Sequence, residues 1–151
     1  MISFATLDEL RGAAGRHLGW TDWIDITQER VNLFADATGD HQWIHVDVER
    51  ANAESPFGRP IAHGFLTLSL SNLFLPQLIE VPGASAGVNY GTGKVRFPSP
   101  VPVGCRVRGG AEITAVEEIP GGVQTTIRIT IEVAGQDKPA CVIDSLSRWL
   151  S

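Results

Sequence analysis

The stretch GFLTLSLSNLFLPQLI (64–79) decides the fold, because its large apolar residues surround much of the circumference of a predicted helix. These residues are Phe65, Leu66, Leu68, Leu70, Leu73, Phe74, Leu75 and Leu78. A helix that is apolar almost all round must be buried on most of its sides. Polar residues and Pro76 interrupt the stretch, which is too short to span a bilayer. The sequence therefore predicts a central, buried helix over 64–78.

The sequence after this helix predicts long antiparallel strands. Apolar and polar residues alternate most clearly in TTIRITIEV (125–133). The strand-like segments are 88–90, 94–97, 106–116, 123–133 and 140–149, and the turn sequences are IPGG (119–122) and GQDKP (135–139). One buried helix followed by an antiparallel meander is an α+β pattern, and a curved sheet wrapped around the helix is its economical packing.

Two glycine motifs interrupt this strand-rich half. Gly91-Thr92-Gly93 predicts a tight turn, and no βαβ pattern surrounds it that would make it a dinucleotide fingerprint. Gly109-Gly110 lies inside a long strand and predicts a bulge or a sharp coil.

The N-terminal segment carries a helix signal and a strand signal. Thr6 and Glu9 have the spacing of a capping box, which predicts a short helix over 6–11. WTDWIDI (20–26) alternates in part and predicts an edge strand.

Length, charge and cysteine usage limit the class of protein. The 151 residues predict one domain, 1–151, and the net charge of −5 without a Lys/Arg cluster gives no reason to expect a nucleic-acid partner. The N-terminus does not resemble a signal peptide, and no membrane partner is expected. Cys105 and Cys141 lack CxxC spacing, so we expect reduced thiols in a cytoplasmic protein.

Two titratable side chains bracket a short connection in ATGDHQWIHVDVERA (37–51). Thr27 predicts the start of a helix that ends at Gly39; Asp40 then opens a loop that His45 closes, before Asp47 caps a further short helix. Ordinary pKa values of ~3.9 for aspartate and ~6.5 for histidine let such a pair divide proton transfers to one water. Alternatively, such an aspartate bonds its own backbone and such a histidine only packs.

The same stretch resembles the signature of the MaoC-like dehydratases and (R)-specific enoyl-CoA hydratases. Thr38, Gly39, Asp40, Ile44, His45 and Ala51 match that signature. RPIAHGFLTLSL (59–70) resembles the family's entry into its central helix, and VNYGTGKVRFPSPVPVG (88–104) its first long strand. Three separated segments thus match in order and spacing, over roughly residues 27–108.

The resemblance implies a hot-dog fold, in which an antiparallel sheet wraps a long central helix, and a homodimer. It implies an acyl-CoA thioester substrate and reversible hydration of trans-2-enoyl-CoA to (R)-3-hydroxyacyl-CoA, with Asp40 and His45 as catalytic pair. A backbone amide near His63-Gly64 would bind the thioester oxygen, and no cofactor is implied. The expected substrate-binding residues are Gln42, Pro60, Ile61, Ala62, His63, Gly64, Val88, Asn89, Tyr90 and Phe97.

Two positions depart from the family's pattern, which has Asn and Pro where this chain has Gln42 and Trp43. Gln42 can still hydrogen-bond a thioester or a water, but Trp43 lacks the fixed φ of proline. Loop geometry and substrate preference can therefore differ from the family's.

Three other interpretations stay open. A metal site at His41 and His45, with Asp40, Asp47 and His63 nearby, has residues of the right type but no HExxH or Cys/His spacing, so no metal is expected. An acyl-CoA thioesterase could use the same fold. A non-catalytic acyl-CoA-binding module is favoured only by the departures at Gln42 and Trp43.

Overall fold

Helices occupy most of the first half of the chain and long strands the second, in a computed structural model that describes all residues from Met1 to Ser151. The helices are α1 (Leu7–Arg11), α2 (Gln28–Thr38), α3 (Trp43–Val46), α4 (Val48–Glu54), α5 (Gly64–Ser69) and α6 (Ser71–Leu78). The strands are β1 (Ile2–Ser3), β2 (His17–Trp20), β3 (Ile24–Asp25), β4 (Ile79–Glu80), β5 (Ala86–Arg96), β6 (Arg106–Ile119), β7 (Gly122–Val133) and β8 (Cys141–Leu150).

The main sheet is antiparallel, in the order β2-β6-β7-β8-β5, and β3 also pairs with β6. A small parallel pair joins β1 to β4. Strand β7 lies in the middle, and its alternate residues Ile127, Ile129 and Ile131 are fully buried. Helices α5 and α6 contact β6, β7 and β8. The prediction of a curved antiparallel sheet around a central helix is therefore confirmed.

The central helix has a break that the sequence did not predict. The Leu70 N–H approaches both the Leu66 and Thr67 carbonyls, at 3.1 and 3.2 Å, so the helix tightens where α5 meets α6. At the preceding residue, the Ser69 hydroxyl donates to the Phe65 carbonyl at 2.7 Å, a bond that bends helices. Pro76 lies inside α6 without ending it.

The prediction that this helix is buried on most sides is wrong for a single chain. Leu66, Leu70, Phe74 and Leu78 are buried, and they form the side that packs on the sheet. In contrast, Phe65 is 68% exposed and Leu73 is 41% exposed. The helix is therefore apolar on a side that its own sheet does not cover.

Two strand predictions also need correction at glycines. Segments 88–90 and 94–97 do not flank a turn at Gly91-Thr92-Gly93; nearly all of this stretch lies in β5, which ends at Arg96 and pairs with β8 through two register shifts. The bulge or coil predicted at Gly109-Gly110 is also absent. The register of β6 against β7 instead shifts between Ile113 and Ala115. Tertiary pairing with a long neighbour overrides local turn preference in the first case.

The glycine pair has a packing role instead. A Cβ added to Gly109 would lie 2.7 Å from the Phe74 side chain, and one added to Gly110 would lie 2.5 Å from the Trp20 ring. Real carbon atoms do not approach so closely, so helix α6 and the Trp20 ring both depend on the missing side chains.

The N-terminal half agrees with its capping signals. Thr6 and Thr27 each accept a hydrogen bond from a backbone N–H of the following first turn, and Gly39 adopts φ 80° at the end of α2. The predicted strand over 20–26 is wrong for most of its length: only Trp20, at the end of β2, and Ile24–Asp25, which form β3, are in strands. Thr21 leaves the regular ladder and bonds Gly109 through both its N–H and its hydroxyl.

Two further observations concern cysteines and membranes. Cys105 and Cys141 are free, and burial raises the pKa of the Cys141 thiol to about 11. None of the helices is both long and apolar enough to cross a membrane.

Candidate active site

The end of helix α2 positions Asp40. Gly39 donates its N–H to the Ala35 carbonyl at 2.8 Å and turns the chain through its left-handed conformation. The Asp40 carboxylate then accepts a weak hydrogen bond from the Gln42 N–H at 3.3 Å. This contact is the local turn that the alternative interpretation expected, and it occupies only one carboxylate oxygen. Asp40 is exposed, so its second oxygen remains available.

His45 lies in the one-turn helix α3, not in the open loop that the sequence predicted. Its side chain is buried, and its Nδ1 lies 2.7 Å from the Ile61 carbonyl. A carbonyl can only accept, so Nδ1 carries the hydrogen and Nε2 keeps a free lone pair. The Gln28 side-chain amide donates to the His45 carbonyl at 2.7 Å, which ties α3 to the start of α2.

His63 is the third polar group of the site. Its ring stacks on that of His45, with centroids 4.0 Å apart and an interplanar angle of 27°. Its Nε2 lies 3.0 Å from the backbone carbonyl of Asp40. Phe34 of helix α2 contacts the same ring, with centroids 4.9 Å apart. The sequence predicted a substrate-binding role for His63, but not this stack.

These groups share a cavity of about 270 Å³. Its lining residues are Phe34, Thr38, Asp40, His45, His63, Gly64 and Phe65. The predicted residues Asp40, His45, His63 and Gly64 are therefore brought together. Phe34 and Thr38 were missed as lining residues, although their i,i+4 spacing on α2 places them on the side that leads to Asp40.

The pKa of His45 is lowered from its ordinary value, chiefly because burial disfavours the imidazolium. The hydrogen bond to the Ile61 carbonyl and the charge of Asp40 act in the opposite direction, whereas His63 lowers the pKa further. His45 is thus a neutral imidazole at neutral pH. In contrast, the pKa of exposed His41 is raised, mainly by its hydrogen bond to Asp36.

The same cluster has residues that could hold a metal ion. Ligand atoms of Asp40, His45 and His63 lie within 4.8 Å of one another. However, one nitrogen of each histidine is held by a backbone carbonyl, and the other two belong to stacked rings. His45 Nε2, His63 Nδ1 and the Asp40 carboxylate are therefore the ligands that this cluster could offer. Asp47 caps helix α4 and His41 bonds Asp36.

The segment before Gly64 positions the site more than it lines it. Pro60 and Ala62 are buried and bond to the strand-like segment after β5, through Val103 and Val101. Ile61 supplies the carbonyl that orients His45. Gln42 is exposed at the start of α3, and its side chain makes no capping bond.

A second cavity, of about 320 Å³, meets the first at Gly64. Its lining is Phe57, Ile61, Ala62, Gly64, Thr67, Phe97, Pro98, Ser99, Pro100, Val101 and Ala140. Predicted residue Phe97 lies here, with its ring against that of Phe65 at 6.1 Å between centroids. Gly64 is the one residue common to both cavities.

The predicted binding residues of β5 lie outside the Asp40–His45 cavity of this single chain. Val88 and Tyr90 are exposed, and the Arg148 guanidinium lies 3.4 Å from the centre of the Tyr90 ring. Asn89 lines a separate cavity of about 260 Å³ between the central helix and the sheet.

Comparison with known proteins gives matches along the whole chain. The MaoC like domain matches residues 9–134. The 3-hydroxyacyl-thioester dehydratase Z of Mycobacterium tuberculosis is 53% identical over 152 residues, covering 100% of both chains. The R-hydratase PhaJ1 from Pseudomonas aeruginosa has a TM-score of 0.77 at 21% identity, covering 97% of this chain and 86% of the other. An (R)-hydratase from A. caviae has a TM-score of 0.74 at 25% identity, covering 90% and 96%.

An antiparallel sheet that wraps a central helix, with these structural neighbours, defines a hot-dog fold. Within that fold, the chain belongs to the family of MaoC-like dehydratases. The predictions of the fold, the family and a dehydratase enzyme are confirmed.

Proposed function

We propose that this protein catalyses the reversible hydration of a trans-2-enoyl-CoA to the (R)-3-hydroxyacyl-CoA, with Asp40 and His45 acting on one water. The observation that carries the proposal is the shared cavity of an exposed carboxylate and an imidazole whose Nε2 is free. The substrate class is supported by the 53% identity to a 3-hydroxyacyl-thioester dehydratase.

The hydrogen bonds suggest how the two groups divide the work. The Asp40 carboxylate accepts a hydrogen bond from the water and orients it. His45 Nε2 removes the other proton while the water oxygen bonds to C3 of the enoyl group. The imidazolium then delivers that proton to C2, so one water is added and both side chains return to their first state. A positioned general base of this kind contributes about 10²–10⁴-fold.

The thioester oxygen needs a hydrogen-bond donor, because negative charge develops on it when C3 is attacked. The Gly64 N–H opens helix α5 and donates no backbone hydrogen bond within the chain. Gly64 also lies where the two cavities meet. We assign its amide to the thioester oxygen, with the reacting double bond on the Asp40 and His45 side.

We also propose a homodimer formed through β5. This strand ends the sheet order and pairs only with β8, and nearly all its residues are exposed. An unpaired edge of this length invites pairing with another strand, and a second copy supplies one by twofold symmetry. Such pairing would extend over the exposed apolar side of the central helix, at Phe65 and Leu73.

The test of the activity is a panel of trans-2-enoyl-CoAs of increasing chain length, starting with crotonyl-CoA. We expect the absorbance of the conjugated thioester to fall on addition of protein, and the product to be the (R)-3-hydroxyacyl-CoA. Release of free CoA thiol without hydration would identify a thioesterase instead. Saturable binding without turnover of any chain length would contradict the proposal and identify a binding module.

A further inference from the structure

His63 is a buried titratable side chain to which the mechanism above gives no task. It is 3% exposed, and its Nδ1 is buried without a hydrogen-bond partner. Leaving a polar atom in this state costs free energy, so a histidine here needs a reason that packing alone does not supply. Besides the Phe34 ring, its side chain contacts the two proposed catalytic residues, Asp40 and His45.

We propose that His63 is a positioning residue, which fixes the Asp40 backbone with one edge of its ring and the His45 imidazole with its face. This inference rests on the proposed hydratase function. It assigns no contact between His63 and the substrate.

The first contact fixes the position of the Asp40 backbone. The Asp40 carbonyl accepts from His63 Nε2 at 3.0 Å, across the gap between the end of α2 and the start of α5. The other restraints on Asp40 are weaker and local, namely the 3.4 Å contact to Thr38 and the 3.3 Å contact from Gln42. His63 is thus the long-range tie that holds the carboxylate beside His45.

The second contact restricts both the orientation and the charge of His45. A ring stacked at 4.0 Å prevents the His45 imidazole from tilting toward the central helix. Two imidazoles this close cannot both be protonated without repulsion, and Asp40 and His63 are the charged or titratable groups that act on His45. The pair of Asp36 and His41 lies nearby but is exposed and bonded to itself.

Two substitutions separate these roles. His63→Gln places an amide nitrogen where Nε2 was, so it keeps the donor to Asp40 but removes the ring. His63→Phe keeps a ring against His45 but removes the donor. His17→Gln, at an exposed histidine on β2, is the matched control.

The experiment measures kcat and KM for crotonyl-CoA against pH, and follows the ring proton of His45 by NMR from pH 4 to pH 9. We expect His63→Phe to lower kcat about 10- to 100-fold with KM little changed, the size expected for a displaced reacting group. We expect His63→Gln to keep kcat within about fivefold of the wild type, because the tie to Asp40 survives. The acid limb should move to higher pH in both variants, with the pKa of His45.

The outcomes distinguish this inference from the function on which it rests. Wild-type protein that hydrates no enoyl-CoA defeats the proposed function, whereas the NMR titration still tests the influence of His63 on His45. An active wild type with unchanged kcat in folded His63→Phe overturns the positioning role. If His63→Phe does not fold, the His63→Gln titration decides, and a pKa of His45 equal to that of the wild type overturns the proposal.

Discussion

The segment that carries Asp40 and His45 is held by bonds within the chain, whereas strand β5 leaves most of its surface uncovered. Around the site, backbone carbonyls hold both stacked histidines, and Gln28 ties α3 to α2. Along β5, Val88 and Tyr90 are exposed and one edge has no partner. The difference indicates that a single chain brings Asp40 and His45 together, whereas it leaves one edge of β5 unpaired, and the proposed dimer would cover that edge.

The largest expected effect is on the site. Asp40→Asn and His45→Gln should each lower kcat/KM for crotonyl-CoA about 10²–10⁴-fold, because each removes one proton-transfer group. Asp40 is exposed, so Asp40→Asn should leave the melting temperature near that of the wild type, whereas His45→Gln also removes a buried, hydrogen-bonded ring. Steady-state kinetics and thermal unfolding of the same preparations test both statements.

Asp36→Asn is the matched control for this prediction. Asp36 is an exposed carboxylate on the same helix as the residues before Asp40, and it bonds His41 outside the cavity. It should leave kcat/KM near the wild-type value. Near-wild-type turnover in both Asp40→Asn and His45→Gln would contradict the proposed catalytic role of these two residues.

Neighbouring residues on helix α6 test the next largest effect. Phe74 is fully buried against Gly109, so Phe74→Ala should lower the free energy of unfolding by about 3–5 kcal/mol. Leu73→Ala removes a side chain that is exposed in a single chain, so it should lower the free energy of unfolding substantially only if a second copy covers it. Chemical denaturation at low and high protein concentration measures both.

The dependence of the unfolding free energy on protein concentration distinguishes the two possibilities for Leu73. If a second copy covers Leu73, the cost of Leu73→Ala grows with protein concentration, because association stabilises the folded state. A small, concentration-independent cost would mean that this side of the helix stays open to water.

A charge on β5 tests its proposed pairing directly. Val88→Asp would place a carboxylate on the β5 strand of each copy and should weaken the dimer by about tenfold or more, which is ~1.4 kcal/mol per tenfold. Analytical ultracentrifugation over a dilution series measures the change. Val48→Asp is the control, because Val48 and Val88 are both 44% exposed and Val48 lies on helix α4. Equal behaviour of the two variants would count against pairing through β5.

The smallest expected effect is on pH dependence. Because burial lowers the pKa of His45, the acid limb of kcat/KM should lie below the ordinary histidine value of ~6.5. Below that pH the unfolded chain binds a proton that folded His45 still excludes, so stability should decrease as the pH falls. His45→Gln should make the unfolding free energy less sensitive to pH in this range. An acid limb above pH ~6.5 would contradict a buried, neutral His45.

Local signals predicted the helix starts and the Asp40–His45 pair, because capping and loop closure depend on residues close in the sequence. Thr6, Thr27, Gly39 and Asp47 all act as expected. Long-range pairing explains the failures. Gly91-Thr92-Gly93 continues β5 because β8 supplies its hydrogen bonds, and His63 reaches His45 only through the fold. The exposed side of the central helix could not be predicted, since its apolar sequence is the same whether a sheet or a partner covers it.

At Gly109 and Gly110, strand β6 has no side chains on either face of the sheet. Phe74 presses on it from one side and Trp20 from the other, without a side chain between them. Helix α6 consequently comes closer to the sheet here than methyl groups would permit. Gly109→Ala would place its Cβ against Phe74, so helix α6 would have to move away from the sheet, and the absence of this one methyl group sets the spacing between helix and sheet.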